Sequence, residues 1–403
     1  MLKKPDEISV LICDDSALMR NLIGKIVDET EGLKVVGKAE NGQVLLDMIP
    51  TTSPDVILLD IEMPVMNGIE FLKKRKELNI DVPVVILSSI TTEGAAVTIQ
   101  CLELGASDFI TKPGGSVTLK IADVTKDIIE FIASYGGAYA LIKGKNVPVS
   151  EFFTHQIKLK EAERFVLKKK SEEAAKLVAI TKSDALPASL WAAPKKKETI
   201  VITPLREPGK IELIAIGIST GGPNALREVF KDIDPNLKQP ILVVQHMPAG
   251  FTAEFAASLN SLCPLPVSEA KDGEPILGGH VYIAPGGYHM LVEKRVFGNF
   301  IKLSQENQQN GHRPSVDVLF NSVAKIYQNK ALGVIMTGMG KDGAAQLAEM
   351  RKQGAWTLGQ DQESSIVYGM PRVALELGGV QKQVSLKDMA KEISTLAKEN
   401  LPE

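Results

Sequence analysis

A short apolar run that ends in a glycine-rich turn most constrains how this chain can fold. Residues 213–216, Leu-Ile-Ala-Ile, contain no polar break, which is typical of a strand buried on both faces. Gly217 ends the run, Ser219 follows among glycines, and Pro223 opens a helical segment. This order favours a serine lifted out at a sheet edge, and Gly217-Ile-Ser219-Thr-Gly221 has the G-x-S-x-G spelling of a nucleophile elbow. A tight βα turn or a phosphate-binding loop would use the same residues.

The length and charge of the chain limit the classes of protein it can belong to. A chain of 403 residues predicts two or three domains. Its formal net charge of −3 gives no overall basic field, so we expect no nucleic-acid partner. No apolar run approaches the roughly 20 residues of a membrane span, so we expect no membrane insertion. Cys13, Cys101 and Cys263 have neither disulfide nor metal spacing, which suits a reducing cytoplasm.

Polar residues stand at the ends of the apolar strands predicted in residues 1–140. Strands and helices alternate here, which predicts a doubly wound parallel α/β sheet. The site of such a sheet lies beyond the carboxyl ends of its strands. The groups expected to converge there are Asp14, Asp15, Asp60, Ser88 and Lys112.

Three clustered carboxylates repel one another and need a cation, and oxygen ligands favour Mg²⁺. A carboxylate beside Mg²⁺ and a lysine can accept a phosphoryl group. Alternatively, Asp14 and Asp15 are helix N-caps, which would explain each acid singly but not the convergence of all these groups.

Residues 1–140 resemble a response-regulator receiver domain. The resemblance rests on the Asp14-Asp15 pair, the run Asp60-x-x-Met-Pro-x-Met-x-Gly68, Ser88 and Lys112-Pro113. It implies that Asp60 is the phosphoacceptor and that Asp14, Asp15 and Asp60 hold Mg²⁺.

The same resemblance implies roles for the remaining residues of this segment. Ser88 and Lys112 would contact the phosphoryl oxygens, Phe109 would be a switch aromatic, and the Lys112–Pro113 bond would be cis. A sensor histidine kinase would donate the phosphate.

Residues 141–209 differ in composition from the segments on either side. Lysine clusters at 168–170 and 195–197 and several prolines predict a basic linker. Phe152 to Ile180 has intermittent helical spacing, so one helix is expected there, with flexible tether around it.

The third segment, residues 210–403, has three polar residues that each follow an apolar strand: Ser219, His246 and Asp342. In a parallel sheet the ends of these strands share one edge, which would bring together a nucleophile, a general base and an orienting carboxylate. Taken singly, His246 could cap a strand end and Asp342 could form a turn between glycines. The Ser, His, Asp chain order differs from that of the α/β-hydrolases.

This segment resembles the chemotaxis-specific protein-glutamate methylesterases of CheB type, an α/β fold with a mainly parallel sheet. The matching motifs are residues 216–222, 245–248, 282–286, 312–317, 336–343 and 369–371. The resemblance implies a phosphorylation-activated serine esterase that hydrolyses glutamate methyl esters on chemoreceptors and deamidates certain receptor glutamines.

In that reading Ser219 is the nucleophile, His246 the base and Asp342 its orienting partner, and no cofactor is needed in the esterase domain. Backbone N–H groups of Thr220, Gly221 and Met339 would stabilise the oxyanion. The alternative is a receiver-regulated, non-catalytic module that binds receptors or a nucleotide through the glycine turn.

Three further basic residues lie near or within the matching motifs. We interpret His280 and His289 as structural, although His289 could also line the cleft. Arg313 could bind substrate carboxylates or a receptor surface.

Overall fold

The computed structural model describes residues 5–89, 91–112, 121–148 and 200–402, which form two compact units. Three predictions lie outside the described residues: the helix from Phe152 to Ile180, the two lysine clusters and the Lys112–Pro113 peptide bond. No described helix combines the length and the apolar composition that a bilayer crossing requires.

The first unit is a five-stranded parallel sheet in the order β2-β1-β3-β4-β5. Its strands are β1 (Ile8–Cys13), β2 (Leu33–Ala39), β3 (Val56–Asp60), β4 (Val84–Ser88) and β5 (Asp108–Thr111). Its α-helices are α1 (Ala17–Asp28), α2 (Gly42–Thr52), α3 (Gly68–Glu77), α4 (Thr92–Glu103), α5 (Ile121–Phe131) and α6 (Gly137–Ile142). A π-helical segment, Ile132–Gly136, joins α5 to α6. The predicted doubly wound sheet is confirmed.

The strand order decides where a site can form in the first unit. β1 lies between β2 and β3, so the chain reverses its direction of winding there. Every residue of β3 and β4 is buried, as expected for central strands covered on both faces. The carboxyl ends of β1 and β3 therefore border the crevice at which doubly wound sheets bind ligands.

The second unit contains a seven-stranded parallel sheet in the order β14-β13-β12-β6-β7-β9-β8. Its strands are β6 (Leu213–Ile218), β7 (Ile241–Gln245), β8 (Val267–Glu269), β9 (Val281–Ile283), β12 (Ala331–Ile335), β13 (Trp356–Gln360) and β14 (Lys382–Val384). An antiparallel hairpin is formed by β10 (His289–Arg295) and β11 (Gly298–Ser304). The expected α/β fold with a mainly parallel sheet is confirmed.

The helices of the second unit are α7 (Gly222–Lys231), α8 (Phe251–Asn260), α9 (Val316–Tyr327), α10 (Ala344–Gln353), α11 (Met370–Glu376) and α12 (Leu386–Glu399). The winding direction reverses at β6, which has β7 on one side and β12 on the other. These three strands are buried along their whole length. Their adjacent carboxyl ends form the crevice in which a site is expected.

The described residues at both ends of the predicted 141–209 linker bond to the unit they adjoin. Lys143 and Lys145 form ion pairs with the buried Asp55 carboxylate at 3.3 and 2.5 Å. At the other end, the Ile200 N–H donates to Glu376 O at 3.1 Å and the Gly209 N–H to Asn329 O at 2.9 Å. The boundaries at 140 and 210 stay predictions.

Two glycines of the first unit allow a matched test of packing. A Cβ on Gly68 would lie 2.7 Å from Asp60 O and 2.9 Å from Ile61 Cα, both backbone atoms that cannot easily move. We expect Gly68→Ala to lower the free energy of unfolding by about 1–3 kcal/mol. Gly137 has helical φ of −63° and would place its Cβ at an ordinary 3.6 Å from Ile8. Gly137→Ala should therefore raise the free energy of unfolding by up to about 1 kcal/mol. Denaturant titration of both variants checks this, and equal effects would contradict the packing argument.

Candidate active site and phosphoacceptor site

The turn after β6 presents Ser219 at the crevice of the second sheet. Ser219 donates its backbone N–H to Thr337 O at 3.0 Å, and its own carbonyl accepts the Gly222 N–H at 2.7 Å. Gly221 has φ of +79°, a conformation that glycine adopts without strain. The helix α7 then begins at Gly222 with Pro223 in its first turn, where a missing N–H costs nothing. The half-buried Ser219 side chain is thus held on a rigid strand–turn–helix connection.

The His246 imidazole bridges the other two residues of the predicted triad. Its Nδ1 lies 3.0 Å from Ser219 Oγ, and its Nε2 lies 2.8 Å from Asp342 Oδ2. A carboxylate can only accept a hydrogen bond, so Nε2 carries the proton of the neutral ring. Nδ1 is then the acceptor that faces the serine hydroxyl.

The Asp342 carboxylate is almost completely buried, with 1% of its surface exposed. Oδ1 accepts from Ser315 Oγ and Asn310 Nδ2, both at 2.8 Å, and Oδ2 accepts from the Val316 N–H at 2.7 Å as well as from His246. Burial alone would raise the pKa of Asp342, but the hydrogen bonds and charge of His246, together with the other donors, hold that pKa well below its usual range. The carboxylate is therefore ionised and acts as a fixed hydrogen-bond acceptor.

Sequence reasoning did not identify Asn310 as part of this site. Its Nδ2 donates to Asp317 Oδ2 at 2.6 Å as well as to Asp342. Burial and the nearby charge of Asp342 raise the pKa of Asp317, and the hydrogen bond from Asn310 opposes that rise. Asn310 lies two residues before the matching motif 312–317, so the motif gave no sign of its contact with Asp342.

Gln245 is a second residue that sequence reasoning missed. It is buried, and its Nε2 donates to Ser219 O and to His246 O, both at 3.1 Å. One amide therefore ties the turn that carries the nucleophile to the segment that carries the imidazole. Its position immediately before His246 in a matching motif was the available signal.

The three residues predicted to stabilise an oxyanion lie close to Ser219 along two segments. Thr220 and Gly221 follow it directly, and Met339 follows Gly338, where a Cβ would stand only 2.8 Å from Ser219 Cβ. Within residues 200–402, the backbone N–H groups of Thr220 and Met339 donate to no protein acceptor. Their role in stabilising an oxyanion stays a prediction.

His280, His289 and Arg313 of the second unit make structural contacts. His280 Nε2 lies 2.8 Å from Ser268 Oγ, and burial lowers the pKa of this imidazole. The buried His289 places Nε2 3.1 Å from Asn307 O. Arg313 Nη1 donates to Gln305 O and Glu306 O at 2.9 and 3.0 Å. These contacts fit the structural interpretation of both histidines and show Arg313 bracing a loop.

In the first unit the predicted acidic residues and lysine lie together. Oxygen atoms of Asp14, Asp15 and Asp60 lie within 4.8 Å of one another, and Lys112 Nζ lies 2.9 Å from Asp14 Oδ2 and 2.7 Å from Asp60 Oδ1. Burial raises the pKa of Asp60, and Lys112 opposes that rise. Burial also acts against the Lys112 cation, but the Asp60 and Asp14 carboxylates keep its pKa above the ordinary value. The donor set consists of hard oxygen atoms, which fits Mg²⁺.

Ser88 lies at the end of β4, and its hydroxyl is hydrogen-bonded to α4 and not to the acidic residues. Its side chain is fully buried, and its Oγ lies 2.5 Å from Thr98 Oγ1 on α4. Its backbone carbonyl accepts the Lys112 N–H at 2.6 Å. Phe109, the predicted switch aromatic, is buried on β5. The structure therefore joins Lys112 to the acids and places Ser88 beside it, facing α4.

The fold and the two sites define a protein class: a receiver domain in the same chain as an α/β domain with a serine–histidine–aspartate site. The response regulator receiver family matches residues 10–122, and the CheB methylesterase family matches residues 214–393. The chain belongs to the CheB-type family of protein-glutamate methylesterases/protein-glutamine glutaminases.

Two relatives that align over almost the whole chain support this membership. The protein-glutamate methylesterase/protein-glutamine glutaminase of Treponema denticola is 52% identical over 98% of this chain and 99% of its own. The Treponema pallidum protein of the same name is 49% identical over 98% and 99% of the two chains. The crystal structure of the Thermotoga maritima CheB methylesterase catalytic domain is 38% identical and covers 47% of this chain and 98% of its own, with a TM-score of 0.45.

The lowered pKa of Asp342 predicts a pH-dependent effect of Asp342→Asn on stability. A carboxyl group whose pKa is lower in the folded than in the unfolded chain stabilises the fold above its unfolded pKa, about 3.9. That contribution is lost as the pH falls through the folded value. We therefore expect Asp342→Asn to destabilise the second unit at pH 7, and the difference from wild type to shrink at pH 3.

Urea titrations at the two pH values test this, followed by the fluorescence of Trp356 in a Trp191→Phe background. The same difference at both pH values would show that the Asp342 pKa is not lowered by folding.

Proposed function

We propose that this protein is a phosphorylation-controlled serine esterase. It hydrolyses γ-glutamyl methyl esters on chemoreceptors to glutamate and methanol, and it deamidates receptor glutamines at the same site. The observation that carries the proposal is the His246 ring, which contacts Ser219 Oγ at 3.0 Å and Asp342 Oδ2 at 2.8 Å. Membership of the methylesterase family supports the choice of substrate.

The geometry supports acylation of Ser219 as the first half of the reaction. Ser219 Oγ attacks the ester carbonyl while its proton passes to His246 Nδ1. The negative charge that develops on the carbonyl oxygen is stabilised by backbone N–H groups of Thr220 and Met339, with Gly221 beside them. The intermediate then collapses, the carbon–oxygen bond to the methoxy group breaks, and Nδ1 returns the proton to release methanol.

Deacylation reverses these roles with water as the nucleophile. His246 Nδ1 accepts a proton from water, whose oxygen attacks the glutamyl–Ser219 ester, and then returns the proton to Ser219 as glutamate leaves. Asp342 remains ionised throughout and stabilises the imidazolium formed in each half. A glutamine side chain follows the same course, with ammonia as the first leaving group.

The first unit is proposed to control this activity. Asp60 accepts a phosphoryl group from a sensor histidine kinase, and Asp14, Asp15 and Asp60 would hold the Mg²⁺ ion. When bound, Mg²⁺ neutralises charge on the phosphoryl oxygens. Lys112 already contacts Asp60, and Ser88 lies at the adjacent strand end, so both are placed to contact the phosphoryl oxygens. We place the protein in the cytoplasm, because its three cysteines have no disulfide spacing and a histidine kinase would act on it there.

A non-catalytic module that binds receptors or a nucleotide through the glycine turn is not favoured. Such a module does not need the turn serine to be hydrogen-bonded to a histidine, or that histidine to a buried carboxylate. It also gives no reason for Asn310, Ser315 and the Val316 N–H to hold the carboxylate.

The first test of this function removes the nucleophile. Ser219→Ala should keep its fold and lose several orders of magnitude in methanol release from methyl-labelled receptors, because among the described residues no other hydroxyl is held on His246 Nδ1. Ser261→Ala, an exposed serine outside the site, is the matched control and should keep wild-type rates. Activity of Ser219→Ala within tenfold of wild type would exclude Ser219 as the nucleophile.

The second test addresses control by phosphorylation. Acetyl phosphate with Mg²⁺ should raise the demethylation rate of the wild type and leave that of Asp60→Asn at its basal value, because the amide cannot accept the phosphoryl group. Asp47→Asn, an exposed aspartate on α2, should respond as the wild type does. Steady-state rates of the three proteins with and without acetyl phosphate decide the matter. An equal response of Asp60→Asn would place the control elsewhere.

A further inference from the structure

A second histidine lies flat against the imidazole that the proposed reaction uses. The rings of His312 and His246 are stacked, with centroids 3.8 Å apart and planes 11° from parallel. We infer that His312 is a positioning residue that holds the plane of the His246 ring during catalysis. The inference rests on the proposed function, since it assigns His312 a role only through His246.

The hydrogen bonds of His246 leave one motion of the ring unrestrained. Nδ1 is held by Ser219 Oγ and Nε2 by Asp342 Oδ2, so both ends of a line across the ring are fixed. The ring can still tilt about that line, and a tilt bends both hydrogen bonds out of alignment, because the bonding direction of each nitrogen lies at an angle to the line. A flat group in contact with the ring face blocks the tilt, because the ring atoms would collide with it. His312 supplies that contact.

The backbone that carries His312 is suited to a fixed position. Gln309 and His312 exchange backbone hydrogen bonds at 3.1 and 2.9 Å across the two residues Asn310 and Gly311. These two residues have φ of +54° and +83°, as the central residues of a type I′ turn require, and Asn-Gly is the preferred sequence for that turn. The turn is therefore a rigid local structure rather than a loose loop.

The same turn also acts on the other partner of His246. Asn310 donates to Asp342 Oδ1 at 2.8 Å, while His312, two residues later, stacks on the imidazole. A single two-residue turn thus aligns both the orienting carboxylate and the ring that binds it. The face of an aromatic ring is also a favourable neighbour for the cation that His246 becomes when it accepts the serine proton.

This role requires a flat ring at position 312 and no proton transfer by it. We therefore expect His312→Ala to lower kcat for methanol release by about ten- to a hundredfold, with KM within about twofold of wild type, since a misaligned base slows chemistry without weakening substrate binding. His312→Phe should restore kcat to within about threefold of wild type. His312→Leu, similarly apolar but without a flat face, should stay near the alanine variant.

Each of the following outcomes would overturn the inference. Equal kcat values for the phenylalanine and leucine variants would show that the flat face is not required. A phenylalanine variant as slow as the alanine variant would show that the ring nitrogens are needed. A change confined to KM would indicate a substrate contact. Unfolding midpoints of all variants identify any loss of fold, and the phenylalanine–leucine comparison still decides if the alanine variant does not fold.

Ser219→Ala and His246→Ala, assayed in parallel, separate this inference from the proposed function. Retained activity in those two variants would remove the proposed function itself. Loss of activity in both, with a fully active His312→Ala, would leave the proposed function standing and refute only the role of His312.

Discussion

The buried carboxylate of Asp342 is the group on which the second site depends. An ionised group without water must have its oxygens satisfied by the protein, or its burial is very costly. The donors come from separate segments: His246 after β7 and residues 310–317 around the start of α9. Because each donor is needed by the carboxylate, the segments that carry them are held in place, and the imidazole is held with them.

Buried carboxylates are stabilised differently in the two units. In the first unit the Lys112 ammonium group lies between Asp14 and Asp60 and offsets their repulsion, which leaves the acids ready for a cation and a phosphoryl group. In the second unit neutral donors surround one carboxylate, whose charge is then directed at a single imidazole. Both sites lie at the carboxyl ends of central parallel strands, where strand-end side chains converge without any change in the buried sheet.

The sequence allowed the fold and the principal site residues to be predicted because both follow from short-range patterns. Apolar runs such as 213–216 predict buried strands. Because the strands are parallel, the polar residue that follows each run lies at the same edge of the sheet. The roles of Asn310, Gln245 and His312 could not be predicted in this way. They depend on a two-residue turn, on amide groups that bridge segments distant in sequence, and on the ring face that a neighbouring side chain covers. The choice of Nδ1 as the nitrogen facing Ser219 likewise depends on three-dimensional geometry.

The protonation of the two His246 nitrogens tests the central claim most directly. The chain contains five histidines, so nitrogen-15 NMR of histidine-labelled protein can assign the His246 signals by comparison with His246→Gln. In the neutral ring we predict a proton on Nε2, donated to Asp342, and an unprotonated Nδ1 facing Ser219. A ring with its proton on Nδ1 would be unable to accept the serine proton, and would contradict the account.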